Sequence, residues 1–147
     1  MSKKNITAIV LAGGKSSRMG SDKALLLYKN KTFLEHVVCA IKPLVDEILI
    51  ISDNKDHQVN DCTTIPDLIL NSGPIAGIYT GLKNSKTENN LVLSCDIPLV
   101  QTSILEFIIK NRYISRPGCN KRRYFFPLSQ STHTIQYEPI ANPYNYR

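Results

Sequence analysis

No apolar run in this 147-residue chain approaches the ~20 residues that a membrane-spanning helix needs, which excludes a transmembrane protein of the helical kind. The opening MSKKNITAIVLAGG places lysines before a short apolar run that ends in Gly-Gly, with no small-residue cleavage site; a cytoplasmic chain is expected. No C-x-x-C pair occurs. Cys39, Cys62, Cys95 and Cys119 are scattered, so neither a zinc ribbon nor a thioredoxin-type motif is present, and the thiols read as reduced and structural. Neither G-x-x-x-x-G-K-[ST] nor G-x-G-x-x-G occurs, which removes the two commonest glycine-rich nucleotide loops. There is no internal repeat. Hydrophobic residues at 42% and charged residues at 20% exclude disorder throughout, and the length is that of one domain.

The net charge of +6 is uneven. Residues 1–111 hold twelve Lys and Arg against eleven Asp and Glu, whereas residues 112–147 hold six against Glu138 alone. Five of seven tyrosines and four of eight prolines also fall in that last stretch. Two segments are therefore expected: a globular part over 1–111 and an atypical basic, Tyr/Pro-rich tail over 112–147. A basic tail can meet nucleic acid or an acidic membrane, and Tyr124, Phe125 and Phe126 could stack on bases. No recognisable nucleic-acid-binding pattern accompanies them, so neither partner is expected.

Within 1–111 the apolar pattern alternates between strand and helix. Ile6–Leu11 is a short apolar run of the buried-strand kind and leads straight into Gly13-Gly14. Ala24–Tyr28 reads as a short strand and Lys29-Asn30-Lys31 as a turn. Thr32 with Glu35 makes a capping box, followed at helical spacing by Phe33, Leu34, Val37, Val38 and Ile41, with Pro43 at the helix end. Glu47–Ser52 is a second strand, Thr63–Ile65 a third. Pro74 suits the first turn of a helix to about Asn84, with Ile75, Ile78, Tyr79 and Leu82 as its apolar side. Leu91–Ser94 is a fourth strand. Ser103 and Glu106 predict a second capping box ahead of Leu105, Ile108 and Ile109. The alternation predicts a Rossmann-like, three-layer α/β/α fold with a mainly parallel sheet, incomplete at the C-terminal end.

In such sheets the ligand lies outside the C-terminal strand ends. The Gly13-Gly14 loop, Ser52, Asp67 and Asp96 all fall there. Glycines let backbone N–H groups come close to phosphate, and Lys15, Arg18 and Lys23 add three cations, so this loop reads as a polyphosphate cradle. Asp96, between a buried strand and Pro98, is placed to hold magnesium, which binds phosphate oxygens in turn.

The string LAGGKSSRMGSDKALL, residues 11–26, resembles the signature loop of the molybdenum cofactor guanylyltransferase family, L-A-G-G-x-S-x-R-M-G-x-D-K-x-L-L, at every fixed position. PDLILNSGPIAGI (residues 66–78) resembles the family's aspartate followed by G-P-L-A-G, and LSCDIPL (residues 93–99) its C-D-x-P segment. The resemblance implies that Leu11, Ala12, Gly13 and Gly14 wrap the guanine and phosphates of GTP. It implies that Lys23 and Arg18 serve the phosphates, that Asp67 lies at the nucleotide site, and that Asp96 is the Mg2+ ligand. A family asparagine near the base falls on Ser52, or on Asn54 in an alignment shifted by two. The implied reaction moves GMP from Mg-GTP to molybdopterin and releases pyrophosphate, with molybdoenzyme maturation proteins as further partners.

The family's later strands and helices, and its N-x-N-T-P segment, have no counterpart after Asn111. The switch in composition there is the one expected of a frameshifted or truncated reading frame. Two other readings follow: a GTP-binding remnant without catalysis, and a nucleotidyltransferase for another acceptor, of the cytidylyl or sugar-phosphate type. Ser17-Arg18-Met19-Gly20 with Asp22-Lys23 favours the guanylyl reading over the second of these.

Overall fold

The computed structural model describes residues 5–13, 22–69 and 73–111, and the backbone of 123–125. Its centre is β1, Ile6–Leu11 (ITAIVL), a run rich in β-branched and apolar side chains that suits a strand covered on both faces. Parallel to it on one side lies β4, Glu47–Ile51, and on the other β6, Asn89–Ser94. Beyond β4 comes β5, Thr63–Ile65. Beyond β6 comes β7, Arg123–Phe125. The order β5-β4-β1-β6-β7 is parallel at every pairing. A small antiparallel hairpin, β2 (Leu27–Tyr28) with β3 (Lys31–Thr32), stands apart from this sheet. Its turn residues Lys29 (φ 47°) and Asn30 (φ 64°) are both left-handed, as a two-residue hairpin of the twist-matching kind requires. Of the strand expected over Ala24–Tyr28 only Leu27–Tyr28 is extended; Lys23–Leu25 is a 3₁₀ turn, because the Asp22 carboxylate accepts from the Ala24 N–H and folds the chain there.

Helices cover both faces. On one face α1, Phe33–Ile41, and α3, Thr102–Lys110, bury Leu34, Val37, Val38, Ile41 and Leu105 against Ala8, Val10, Ile48, Ile50, Leu91 and Leu93. The capping box of α1 is present: Thr32 Oγ1 accepts from the Glu35 N–H at 3.1 Å, and Glu35 Oε2 accepts from the Thr32 N–H. The predicted Ser103/Glu106 box is absent. Thr102 begins α3 and spends its hydroxyl on the Ala40 carbonyl at 2.8 Å, tying α3 to α1, so Ser103 already lies inside the first turn.

On the other face α2, Gly73–Asn84, lies over Ile9, Leu49, Ile51 and Val92. The expected contact face is corrected here. Ile75 is 72% exposed and Tyr79 50%, whereas Ala76, Gly77, Thr80 and Gly81 are buried. Ile78 and Leu82 pack at the margin. Small residues face the sheet because the helix sits close to it: a Cβ on Gly81 would press into Ile9, with Cγ1 and Cδ1 at 3.0 Å and Cγ2 nearer still. Hydrophobicity ranks Ile75 and Tyr79 as core, but a close approach selects for size.

The sheet also reaches past Asn111. Arg123, Tyr124 and Phe125 pair with Asn89, Asn90 and Leu91. Three residues are too few to display alternation, and an edge strand can be held by backbone pairing alone, so the sequence pattern carries no sign of it.

Candidate functional site

From β1 the chain moves outward through β4 to β5, then returns across β1 to β6. That reversal places a crevice outside the C-terminal ends of β1 and β6, the position where open parallel sheets hold ligands. The loops leaving both strands meet there. The Cys95 N–H donates to the Leu11 carbonyl at 3.1 Å, which sets Asp96 beside the end of β1.

Leu11 closes β1, and the Ala12 and Gly13 N–H groups both donate to the Ile51 carbonyl, at 3.1 and 3.0 Å. These two amides are thus engaged within the fold. A Cβ on Gly13 would make only ordinary contacts, at 3.5 Å to the Ile51 carbonyl oxygen and 3.7 Å to Ser52 Cα. Local crowding does not demand a glycine at this position. Gly14, Lys15 and Arg18 lie outside the described residues. The chain re-enters at Asp22 and carries Lys23 on the 3₁₀ turn, where Ala24 is fully buried.

Lys23 and Asp96 both act on the field at the buried Cys95. The Cys95 thiol is pushed up to about 11, first by burial, then by the carboxylates of Asp96 and Asp22, with Lys23 pulling the other way. The Asp96 carboxylate is exposed and, among the described residues, has no hydrogen-bond partner; the Lys23 ammonium is likewise unpaired among them. A half-buried lysine and an exposed, unpartnered carboxylate at a switch point can neutralise phosphate and take a hard cation. Among the described residues no group of three or more His, Cys, Asp or Glu side chains could enclose a metal ion. One carboxylate with substrate phosphates and water is the arrangement that suits magnesium, so Asp96 fits it.

Asp67 lies elsewhere on this edge. It follows β5, three strand spacings from β6, or roughly 14 Å at about 4.8 Å each. Its Oδ1 accepts from the Thr80 hydroxyl at 2.9 Å and from the Ile69 N–H at 3.2 Å, and its own N–H donates to Asp53 Oδ1 at 3.1 Å. Asp67 thereby fastens the β5–α2 connection to the buried Thr80. Its Oδ2 has no hydrogen bond among the described residues.

Ser52 is buried at the end of β4. Its Oγ lies 2.7 Å from His57 Nδ1 and accepts from the Asn54 N–H at 3.0 Å. His57 Nε2 in turn lies 2.9 Å from Asp22 Oδ2, which also accepts from Asn54 Nδ2 at 3.0 Å. Ser52 is thus occupied in holding its own loop, and Asn54 in holding Asp22. Sequence reasoning passed over His57 and gave Asp22 no task. Nothing in a polar loop marks one histidine as buried, and the partner stands 35 positions upstream.

The fold is shared with known proteins. The MobA-like NTP transferase domain matches residues 8–127. This chain belongs to that family. A Flavobacterium johnsoniae protein named "Probable molybdenum cofactor guanylyltransferase" is 48% identical over 104 residues, covering 71% of this chain and 55% of that protein. One of the same name from Carboxydothermus hydrogenoformans is 36% identical over 107 residues, covering 73% and 54%. The chain spans about half the length of these curated relatives. A solved structure described as a nucleotidyl transferase from Methanothermobacter thermautotroptrophicus shares the fold, with a TM-score of 0.65 at 23% identity over 72% of this chain and 57% of that one. The MobA-like match runs past Asn111 and takes in β7. Among the described residues no helix is long and apolar enough to cross a membrane.

Proposed function

We propose that this chain binds Mg-GTP and supplies the nucleotide half of a guanylyltransferase that moves GMP onto molybdopterin. The observation that carries the reading is the hydrogen bond from the Cys95 N–H to the Leu11 carbonyl at the β1/β6 switch point, which sets the exposed Asp96 beside the end of β1. The choice of guanine and of a molybdopterin acceptor is supported by the names of the relatives. A cytoplasmic site of action fits a soluble nucleotide substrate.

Chemically, an acceptor phosphate oxygen attacks the α-phosphorus, the bond to the bridging oxygen breaks, and pyrophosphate leaves with the electron pair. Little covalent assistance is needed, so the protein contributes position and charge. Lys23 neutralises the phosphates directly, and Arg18, beyond the described residues, is assigned the same task. Magnesium, when bound, neutralises phosphate oxygens, and Asp96 would hold it. Asp67, half-buried on the same strand edge, keeps Oδ2 without a hydrogen bond among the described residues and is assigned to the nucleotide side in this reading.

Calorimetry with GTP, CTP, ATP and UTP in magnesium buffer is the test. Selective heat with GTP is expected; binding of none of the four, or a preference for CTP, sinks the proposal. Turnover with molybdopterin then separates an enzyme from a GTP-binding remnant.

A further inference from the structure

Asp22 has a single carboxylate and three donors on it. Oδ1 accepts from the Ala24 N–H at 3.0 Å and shapes the turn that carries Lys23. Oδ2 accepts from Asn54 Nδ2 at 3.0 Å and from His57 Nε2 at 2.9 Å. His57 is 1% exposed and is fixed at every polar atom. Its Nδ1 meets Ser52 Oγ at 2.7 Å, its N–H donates to the Asn54 carbonyl at 3.2 Å, and its carbonyl accepts from the Thr64 hydroxyl at 2.9 Å. Ser52 is fixed in turn, its N–H donating to the Ile65 carbonyl at 3.0 Å. With Nε2–H donated to Asp22, Nδ1 accepts a hydrogen bond from the Ser52 hydroxyl, and Ser52 Oγ keeps a lone pair for the Asn54 N–H. Every donor finds an acceptor, a tautomer assigned from the network itself.

We propose that His57 is a positioning residue: through Asp22 it braces the Lys23 turn against the rigid β4–β5 edge, so that the ammonium is presented to the nucleotide phosphates. A lysine is a point charge on a flexible stem, and the useful part of its attraction depends on where its backbone is held. The brace is hydrogen-bonded from end to end and buried at Ser52 and His57, the condition under which a polar network fixes geometry. The inference rests on the phosphate role of Lys23 proposed above.

Two variants test it on the full chain. His57→Phe keeps the ring volume and removes both ring nitrogens. Asp22→Asn, at an exposed position, keeps the oxygen that caps the turn and turns an amide NH2 toward the His57 and Asn54 donors. Two readouts are taken: amide hydrogen exchange without nucleotide, and the Kd for Mg-GTP. Each variant should speed exchange at Ala24, Leu25 and Leu26 at least tenfold and raise Kd five- to twentyfold. The double variant should be no worse than the weaker single. In a Lys23→Ala background, His57→Phe should change Kd by less than twofold, an outcome that general loosening of the fold would not give. Unchanged exchange at 24–26 in both variants overturns the brace. Faster exchange with unchanged Kd, or an equal loss in the Lys23→Ala background, overturns its role in presenting Lys23. A wild-type chain that binds none of the four nucleotides, with exchange behaving as expected, establishes the brace and overturns the phosphate role on which its purpose depends.

Discussion

Lys23 and Asp96 stand on loops more than seventy positions apart in the chain, and each has a separate task in the proposed site. Lys23→Ala removes a charge-assisted contact worth about 1.5–3 kcal/mol, so the Kd for GTP should rise by roughly ten- to 150-fold in calorimetry. An unchanged Kd would remove the lysine from the phosphates. Asp96→Asn keeps the shape of an exposed side chain and loses the charge. It should leave the melting temperature unaltered and abolish the magnesium dependence of nucleotide binding, read by titrating magnesium at fixed GTP. Retained dependence would move the metal elsewhere. The two outcomes are separable because the proposed site gives the lysine a direct contact with phosphate and the aspartate an effect through the cation.

At the scale of elements, α2 and α1 are held by different physics. Gly81 of α2 faces Ile9 without room for a methyl group. Gly81→Ala gains up to about 1 kcal/mol of helix propensity, but overpacking against a strand residue costs about 1–3 kcal/mol. The variant should therefore be less stable in urea titration; a gain would mean that α2 moves freely away from the sheet. The start of α1 depends on charge instead. The Thr32 N–H and hydroxyl hold the Glu35 carboxyl below its ordinary 4.5. A lowered native value means stability that is complete above pH 4.5 and is lost as pH falls through the native value. Glu35→Gln should thus be less stable than wild type at pH 7, by a few tenths to about 1 kcal/mol for this largely solvated group. The gap should close in acid, and a gap that persists below that range would show that the charge is not what matters.

Over the whole molecule, β7 changes what a shortened chain would be. Backbone pairing of Arg123–Phe125 covers the β6 edge beside Asn89–Leu91, at the strand end opposite Asp96. A chain ending at 111 should bind GTP within about threefold of the full chain, because Lys23, Asp67 and Asp96 all precede the cut. It should also melt several degrees lower and aggregate sooner, since a bare strand edge invites pairing with another chain. Loss of GTP binding in a folded 111-residue chain would make the later residues part of the site.

The sequence by itself determined β1, β4, β5 and β6, the α1 cap and the placement of Gly13, Ser52, Asp67 and Asp96 just beyond strand ends, because these follow from local patterns: apolar runs, a four-residue capping signal, and polar residues just beyond each run. The LAGGKSSRMGSDKALL motif also marked the family, since a loop that meets a ligand constrains many neighbouring positions at once. Tertiary structure alone decided the rest. Which side of α2 meets the sheet depends on how closely two elements approach: hydropathy favours Ile75 and Tyr79, whereas the close approach selects the small residues Ala76, Gly77 and Gly81. The pairing of β7 with β6, the bonding of Ala12 and Gly13 to Ile51, and the path from Ser52 through His57 to Asp22 join positions far apart in the chain. Local periodicity holds no information about such pairs; only the packed sheet, which fixes one loop against another, brings them together.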